Sequence, residues 1–201
     1  MMRHSSKEMR GFTLIEVLVV ISIIAIMATF ASLGMEFIRK EKVSSVTKDL
    51  VSDLQRLRID ALTQGPDSGA GAVMPNLRGF GMRLASTTSY VTFPFNDADS
   101  SFTYTAIGEE VLSLKKTKTV SSSIKIEIHN LPEYPILIYD RMGVPTRYMS
   151  DGTAEYMTEE TDALILKVQD VSGTAAKCVK VTMNSIRQGA WNDATSSCTE
   201  Q

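Results

Sequence analysis

Glu16 is the residue of this chain whose type and setting point most directly to chemistry. Its carboxylate lies at the start of an apolar stretch that has no charged residue from Val17 to Met35. That stretch is close in length to the roughly 20 apolar residues that a helix needs to cross a bilayer. A charge in such a segment costs roughly 2.5–3.5 kcal/mol at the bilayer centre and less near its edge. We therefore expect Glu16 either to meet a positive charge or to reach the membrane surface as a snorkelling side chain.

The remaining reactive side chains do not form a catalytic or metal-binding pattern. The two histidines, His4 and His129, lie far apart in the sequence, and neither has a further histidine or cysteine at the spacing that a zinc site needs. The chain also lacks the Gly-x-Ser-x-Gly pattern of a nucleophile elbow and a glycine-rich phosphate loop. We expect no enzymatic activity, no cofactor and no bound metal.

One acidic turn leaves calcium binding open as an alternative to the absence of a metal. Asp97 and Asp99 lie in the run Asn96–Ser101 and offer alternating oxygen atoms of the kind that calcium binds. The run lacks the glycine and the distal glutamate of a calcium loop. A polar hairpin turn is therefore favoured, and calcium binding at Asp97 and Asp99 stays open.

Charge divides the chain at residue 11. Of its 21 basic and 23 acidic residues, three basic and one acidic lie in the first eleven residues, which leaves a formal net charge of −4 after Gly11. Basic residues that precede an apolar segment hold that end in the cytoplasm. The rest of the chain is therefore predicted to lie on the far side of the membrane. The near balance of charge overall gives no sign of a nucleic-acid binder.

The two cysteines, Cys178 and Cys198, both fall in the part that is predicted to be exported. A pair of cysteines in an oxidising compartment indicates one disulfide. A bridge that closes a loop of this size contributes roughly 3 kcal/mol in the chain-entropy model. Because the chain has no Cys-x-x-Cys sequence, a structural role is favoured over a redox role.

An amphipathic helix is predicted to continue beyond the apolar stretch. Apolar residues recur in steps of three and four, which is the spacing of one helix face; they are Val43, Val46, Leu50, Leu54, Leu57 and Ala61. Gly65 followed by Pro66 is a typical helix stop. A soluble coiled coil is the alternative, but the spacing lasts for less than three heptads.

Short alternating or β-branched runs with turn residues between them follow the helix. They predict strands near 79–84, 89–95, 102–107, 110–116, 123–128, 136–139, 163–168 and 177–183. No second long helical pattern separates these strands, so antiparallel sheets are expected. The predicted fold class is α+β, with a long N-terminal helix, transmembrane in its first half, packed on a small β-rich domain.

The string Gly11-Phe12-Thr13-Leu14-Ile15-Glu16, after a basic leader and before an uncharged run, resembles the signal of type IV pilins and type II secretion pseudopilins. The resemblance implies that a prepilin peptidase cuts between Gly11 and Phe12 and methylates the new amine of Phe12. It also implies that Glu16 meets the Phe12 amine of a neighbouring subunit in a filament. A cleaved secretory signal and a plain membrane anchor are the alternatives, but the apolar run is too long for the former, and the latter leaves Glu16 unexplained.

The resemblance also implies a division of the chain and a location. Residues 1–11 would be the leader peptide, 12–38 the transmembrane and assembly helix, 39–65 the amphipathic periplasmic half of the helix, and 66–201 the globular domain. The chain would cross the bacterial inner membrane once, with a cytoplasmic N-terminus and a periplasmic domain. Its partners would be the prepilin peptidase, other pilins or pseudopilins, the inner-membrane assembly platform and the membrane.

Within this family, later segments such as "ILIYDRMGVPT" and "KCVKVTMNSIRQG" resemble the GspH/FimT branch. That resemblance implies a minor structural subunit that takes part in filament initiation or tip assembly, either of a type II secretion pseudopilus or of a type IV pilus. A major pilin is one alternative. Another is a minor pilin that binds DNA during natural transformation, for which Lys177, Lys180 and Arg187 are the candidate contacts. Three cations are few for such a role, because affinity for phosphates scales with their number.

Overall fold

The computed structural model of the protein describes residues 12–64, 76–97, 104, 110, 111, 113–129, 135–149, 153–157 and 162–200. The chain forms two compact units, Met1–Ile38 and Arg39–Gln201. One helix, α1 (Leu14–Thr63), contributes residues to both units. The second unit otherwise consists of β-structure.

Helix α1 begins directly after Thr13. The Thr13 carbonyl accepts hydrogen bonds from the N–H groups of Glu16 at 3.1 Å and Val17 at 3.3 Å, and the Thr13 hydroxyl lies 3.4 Å from the Glu16 nitrogen. A threonine at this position satisfies N–H groups that the first turn of a helix cannot pair internally. Glu16 lies in that first turn, where a carboxylate interacts favourably with the helix dipole.

In the first unit the described apolar side chains of α1, in 14–29 and 34–38, are exposed. Ile21 is 61% and Met27 is 67% exposed, and Val17, Val20 and Ile24 are also open. A helix that is apolar all round requires an apolar surrounding. Within the residues that the structure describes, this segment is long and apolar enough to cross a bilayer, a property that signal sequences share.

In the second unit α1 buries one face. The spacing of three and four is confirmed by Val43, Leu50, Leu54, Leu57 and Ala61, which are all buried. Val46 is only partly buried, and Thr47 is fully buried instead. The Thr47 hydroxyl is satisfied because it donates to the Val43 carbonyl at 2.7 Å. The helix is described to Thr63, and the predicted stop at Gly65 and Pro66 lies outside the described residues.

The strands form two antiparallel sheets. Their bounds are β1 Leu77–Ser86, β2 Ser89–Asn96, β3 Lys116–Thr119, β4 Ile124–His129, β5 Ile136–Asp140, β6 Pro145–Tyr148, β7 Ala154–Tyr156, β8 Leu164–Asp170, β9 Ala176–Val181, β10 Ile186–Asn192 and β11 Ser197–Glu200. The first sheet has the order β3-β2-β1-β5-β6-β7, and the second has the order β11-β10-β9-β8-β4. The α+β class is therefore confirmed, with a long N-terminal helix and antiparallel sheets.

The strand predictions differ from the structure in a few places. The run 110–116 is not a strand: Glu110 makes an isolated bridge with Phe95, and the strand begins only at Lys116. The run 102–107 lies outside the described residues apart from Tyr104. The predicted ranges do not include β6, β7, β10 and β11. Strand β6 has only four residues and begins with a proline, β7 is short and fully exposed, and the tail that forms β10 and β11 has no alternating apolar pattern.

The main core of the second unit lies between α1 and both sheets. Alternate residues of each strand face it, as the period of two requires; from β4, β8 and β9 these include Ile126, Leu166, Val168, Val179 and Val181. Each fully buried aliphatic side chain contributes about 1.5–3 kcal/mol. A polar contact adds to this packing, because the Tyr90 hydroxyl donates to the Asp53 carboxylate of α1 at 2.6 Å.

A second, smaller core lies on the opposite face of the first sheet. It consists of Val91, Phe93, Phe95, Tyr104, Ile138 and Tyr148. The ring of Tyr104 lies 5.8 Å from that of Phe95 and 6.1 Å from those of Phe93 and Tyr148. Such aromatic clusters bury a large area and favour tilted geometries, so Tyr104 fastens the connection between β2 and β3 to this face.

Candidate functional site

The segment Phe12–Glu16 is the site at which the sequence predicts processing and assembly. Phe12 is 81% exposed, and Glu16 is exposed one helical turn later. Gly11, the residue before the predicted cut, lies outside the described residues. The structure thus presents Phe12 at the very start of α1, with the Glu16 carboxylate in the first turn beyond it.

The first unit supplies no positive charge to Glu16 from the helix itself. Between Phe12 and Ile38 the chain contains two charged side chains, Glu16 and Glu36, and both are carboxylates. A carboxylate in an apolar medium needs a cation or several hydrogen bonds to remain ionised. Any cation that pairs with Glu16 would therefore come from outside residues 12–38.

The disulfide joins Cys178 to Cys198, with their Cα atoms 5.8 Å apart. It links β9 to β11, which both pair with β10, so the bridge spans β10. Gly189 of β10 makes this approach possible, because a Cβ atom there would lie 2.4 Å from the Thr199 carbonyl oxygen and 3.1 Å from Cys178 Sγ. The bond therefore fastens the C-terminal hairpin of the second sheet onto β9.

The three candidate DNA contacts do not lie together. Lys180 and Arg187 are directly opposed on β9 and β10, so they share one face of the sheet. Arg187 Nη1 lies 2.6 Å and Lys180 Nζ lies 3.3 Å from the carboxylate of Glu200. Lys177 lies on the other face, because it is three positions from Lys180 along β9 and an odd offset changes the face. Its ammonium donates to Ser44 of α1 at 3.1 Å.

One carboxylate of the acidic run Asn96–Ser101 forms an ion pair with an arginine. The carboxylate of Asp97 is fully buried and lies 3.2 Å from Arg78 Nε. Asp99, the other residue named for calcium, lies outside the described residues. Within the described ranges, no three His, Cys, Asp or Glu side chains are grouped so as to hold a metal ion.

Glu110 is a buried charged residue that sequence reasoning missed. Its carboxylate accepts hydrogen bonds from Arg83 at 2.5 Å, Lys115 at 2.8 Å and the Tyr104 hydroxyl at 3.1 Å. Burial by itself would raise the pKa of Glu110, but the hydrogen bonds from Arg83 and Lys115 outweigh it and hold this pKa below its usual value. The group is a structural anchor, since its oxygens are engaged by its own neighbours.

Comparison with known proteins matches the start of the chain to a family. Residues 7–32 match the family model described as the prokaryotic N-terminal methylation motif. Among solved structures, the minor pseudopilin EpsH from the type 2 secretion system of Vibrio cholerae is similar at 12% sequence identity, over 74% of this chain and 97% of that chain, with a TM-score of 0.45. No curated protein matches the sequence. The motif at Gly11–Glu16 therefore lies within the segment that matches the methylation motif, and an apolar helix and antiparallel sheets follow it on the same polypeptide.

Proposed function

We propose that this protein is a minor structural subunit of a type II secretion pseudopilus or a type IV pilus, with a part in filament initiation or tip assembly. The observation that carries this proposal is the charge pattern of the first unit. Glu16 lies at the start of an apolar segment whose described side chains are exposed, and residues 12–38 contain no cationic side chain. Cleavage between Gly11 and Phe12 would create that cation at the position of the motif.

The mechanism follows from the cost of an unpaired charge. Methylation of the Phe12 amine leaves it positively charged, and Glu16 lies one helical turn away along the chain. When two such helices pack side by side in an apolar surrounding, the amine of one chain can pair with the carboxylate of the other. A buried pair adds little net stability, but a missing partner is costly, so the pair is best suited to selecting one register between subunits.

We propose that the chain is organised in four segments. Residues 1–11 are the leader, 12–38 anchor the protein in the inner membrane and later enter the filament, 39–65 form the amphipathic half of the helix, and 66–201 form the domain that faces the periplasm. The basic leader before the apolar run supports this orientation. The prepilin peptidase, other pilins or pseudopilins and the assembly platform of the inner membrane are the proposed partners.

The proposal of a minor role in either a type II secretion pseudopilus or a type IV pilus rests on the resemblance to the GspH/FimT branch. A minor subunit is scarce in sheared fibres, whereas a major pilin dominates them, so quantitative mass spectrometry of sheared fibres separates the two. Secretion genes or pilus genes beside this one would distinguish a pseudopilus subunit from a pilus subunit.

Replacement of Glu16 tests the pairing. Glu16→Leu removes a charge from an apolar segment, so membrane insertion should be at least as efficient as in the parent protein. Processing at Gly11 should also continue. Incorporation into filaments should fall by at least about tenfold, because the incoming amine would be left unpaired in an apolar surrounding at a cost of several kcal/mol.

The control is Glu36→Gln, which neutralises the other carboxylate of residues 12–38, at the far end of the uncharged run. Membrane level, leader removal and the amount in sheared fibres are measured for the parent and both variants. Normal incorporation of processed Glu16→Leu would contradict the pairing and leave Glu16 as a snorkelling side chain. Equal losses in both variants would show that helix charge in general, rather than Glu16, controls assembly.

A further inference from the structure

Large apolar side chains of the second unit form an exposed patch around an arginine. Ile59 and Leu62 lie three positions apart on α1, Met142 lies in the β5–β6 turn, and Met183 lies in the β9–β10 turn. Their exposed fractions are 57%, 53%, 76% and 37%, in that order. Arg58 lies beside them, and these five residues are hereafter called the Arg58 patch.

Contacts of Arg58 bring the three elements of the patch together. Its Nη1 donates to the Asn184 carbonyl at 3.1 Å, and its Nη2 donates to the Met183 carbonyl at 3.3 Å. A Cβ atom on Gly143 of the β5–β6 turn would lie 3.2 Å from Leu62 Cδ2 and 3.4 Å from Arg58 Nε. Both turns therefore contact α1 at Arg58, and the patch is one continuous surface.

The backbone beneath Met142 is fixed by the turn itself. The Asp140 carboxylate accepts from the N–H groups of Met142 at 2.9 Å and Val144 at 2.8 Å. Gly143 has a φ of 70°, a conformation that glycine adopts without strain. The most exposed side chain of the patch thus projects from an ordered turn, so little backbone ordering would be needed when a partner covers it.

Arg58 keeps its positive charge uncompensated. Its guanidinium donates to two neutral carbonyls, and among the residues that the structure describes no carboxylate lies within ion-pair distance of it. Two carboxylates of the adjoining segments are engaged elsewhere, Asp60 by Arg56 and Gln64 and Asp140 by the N–H groups of its turn. A guanidinium has five N–H donors, so Arg58 can still donate to a carboxylate from outside.

The composition of the Arg58 patch resembles that of an interface core. Methionine and arginine are enriched in such cores, whereas lysine, glutamate and aspartate are depleted. The uncompensated charge restricts the occupant, because a symmetrical contact between two copies would bring two Arg58 guanidinium groups close together, and juxtaposed like charges disfavour a contact. The complementary partner is therefore an apolar segment that carries a carboxylate.

We propose that the Arg58 patch docks an apolar, carboxylate-bearing segment of a different subunit of the filament. The carboxylate pairs with Arg58, and apolar side chains of the partner pack against the four apolar residues of the patch. The inference rests on the proposed function, because it takes the neighbouring subunit to be another pilin or pseudopilin. A contact in the exported domain would select which subunit lies beside this one, whereas the pair at Glu16 would select the register.

Substitution of exposed residues tests the contact without disturbing the fold. Met142→Ser and Ile59→Ser remove side chains that are 76% and 57% exposed, so urea unfolding of the domain should change little. Each variant should reduce the amount of processed chain in sheared fibres by at least about fivefold, as expected for residues that carry interface energy. The control is Val171→Ser in the β8–β9 turn, outside the patch. Val171 is 56% exposed, and its loss should leave both measurements unchanged.

Arg58→Lys supplies an amine that reports the partner. A carbodiimide joins a lysine to a carboxylate in contact with it, whereas an arginine is not joined. Sheared fibres that contain this variant should yield a cross-link from residue 58 to an aspartate or glutamate of another pilin or pseudopilin, and parent fibres should yield none at residue 58. The control is Arg56→Lys, which should link only to Asp60 of its own chain, 3.8 Å from Arg56 Nε.

The remaining outcomes overturn the inference in distinguishable ways. Normal incorporation of both patch variants, or an equal loss in Val171→Ser, would show that the patch is not a docking site. A link from residue 58 to its own chain, to a second copy or to a secreted protein would overturn the choice of partner, and so would the absence of any link. If the processed parent chain is missing from sheared fibres, the proposed function fails. If the parent and both patch variants assemble equally well, the docking site alone fails.

Discussion

The guanidinium of Arg187 donates a hydrogen bond to the carboxylate of Glu200 at 2.6 Å. Lys180 Nζ lies 3.3 Å from the other oxygen of the same carboxylate. The hydrogen bonds from Arg187 and Lys180 hold the pKa of Glu200 below its usual range, so Glu200 is ionised at neutral pH. Two of the three cations that a DNA-binding role would use are therefore paired with a single carboxylate, which offsets one of their two charges.

Removal of this carboxylate should raise the affinity for DNA. In Glu200→Gln, Arg187 and Lys180 lose their ion pairs with residue 200 and can contact phosphates. We expect little binding of duplex DNA by the parent chain and tighter binding by the variant. The slope of the logarithm of the binding constant against the logarithm of salt concentration should be steeper by about one to two in the variant. Fluorescence anisotropy of labelled DNA at two salt concentrations measures both quantities.

The control for that comparison is Glu155→Gln. Glu155 also pairs with an arginine, Arg147, but on strand β7 of the other sheet. If the control gains as much affinity as Glu200→Gln, the effect reflects net charge only. Strong binding by the parent chain that Glu200→Gln does not change would place the DNA contact elsewhere.

Glu110→Gln should destabilise the domain. The substitution leaves Arg83 and Lys115 beside a neutral amide in a largely buried site, and breaking a buried ion pair on one side costs on the order of 3 kcal/mol. Urea unfolding of the chain in detergent, followed by circular dichroism of the β-structure, measures the change. The pair Arg147–Glu155, whose carboxylate is half exposed, serves as the control, and Glu155→Gln should cost less than about 1 kcal/mol.

The difference in stability between the parent protein and Glu110→Gln should depend on pH. The pKa of Glu110 is lowered from its ordinary 4.5 in the folded chain, so its ionised form stabilises the fold above that value. This contribution is lost as the pH falls through the lowered folded-state pKa. The stability difference between the parent and Glu110→Gln should therefore be largest at neutral pH and shrink in acid below the ordinary pKa. A difference that does not change with pH would mean that Glu110 acts through packing rather than charge.

Loss of the disulfide should weaken the C-terminal hairpin. Cys178→Ala/Cys198→Ala removes a crosslink between positions that are 20 residues apart, and the chain-entropy model gives a loss of roughly 3 kcal/mol. Hydrogen exchange should show the greatest loss of protection in β10 and β11, which the bridge connects to β9. Two free thiols found by non-reducing peptide mapping of exported protein would contradict the bridge itself.

Gly11→Val should block maturation. The family's peptidase is expected to require a residue without a side chain beside the cut, so the variant should keep its leader and lack a methylated Phe12. Intact-mass spectrometry of the membrane fraction distinguishes the two forms. Gly34→Ala is a suitable control, because no atom lies within 4 Å of a Cβ atom at that position, and it should be processed normally.

The elements that could be predicted from the sequence are those whose burial repeats with a simple period. The step of three and four from Val43 to Ala61 marked the buried face of α1, and alternation marked β8 and β9. Lys177 and Lys180 lie on opposite faces of β9, because positions in one strand alternate between faces, and the sequence prediction of DNA contacts did not separate them. Glu110 was missed because its partner Arg83 is brought to it by tertiary structure. Strands β10 and β11 were missed because their residues do not alternate between apolar and polar.

The bridge across β10 also makes the order of folding depend on location. Cysteines remain reduced in the cytoplasm and pair in oxidising compartments. In the proposed topology, Cys178 and Cys198 can therefore join only after the domain has crossed the membrane. The main core, which buries α1 against β8 and β9, needs no bond of this kind. The C-terminal hairpin is thus the part of the domain that would be completed last. Formation of its disulfide would show that this part of the chain has crossed the membrane.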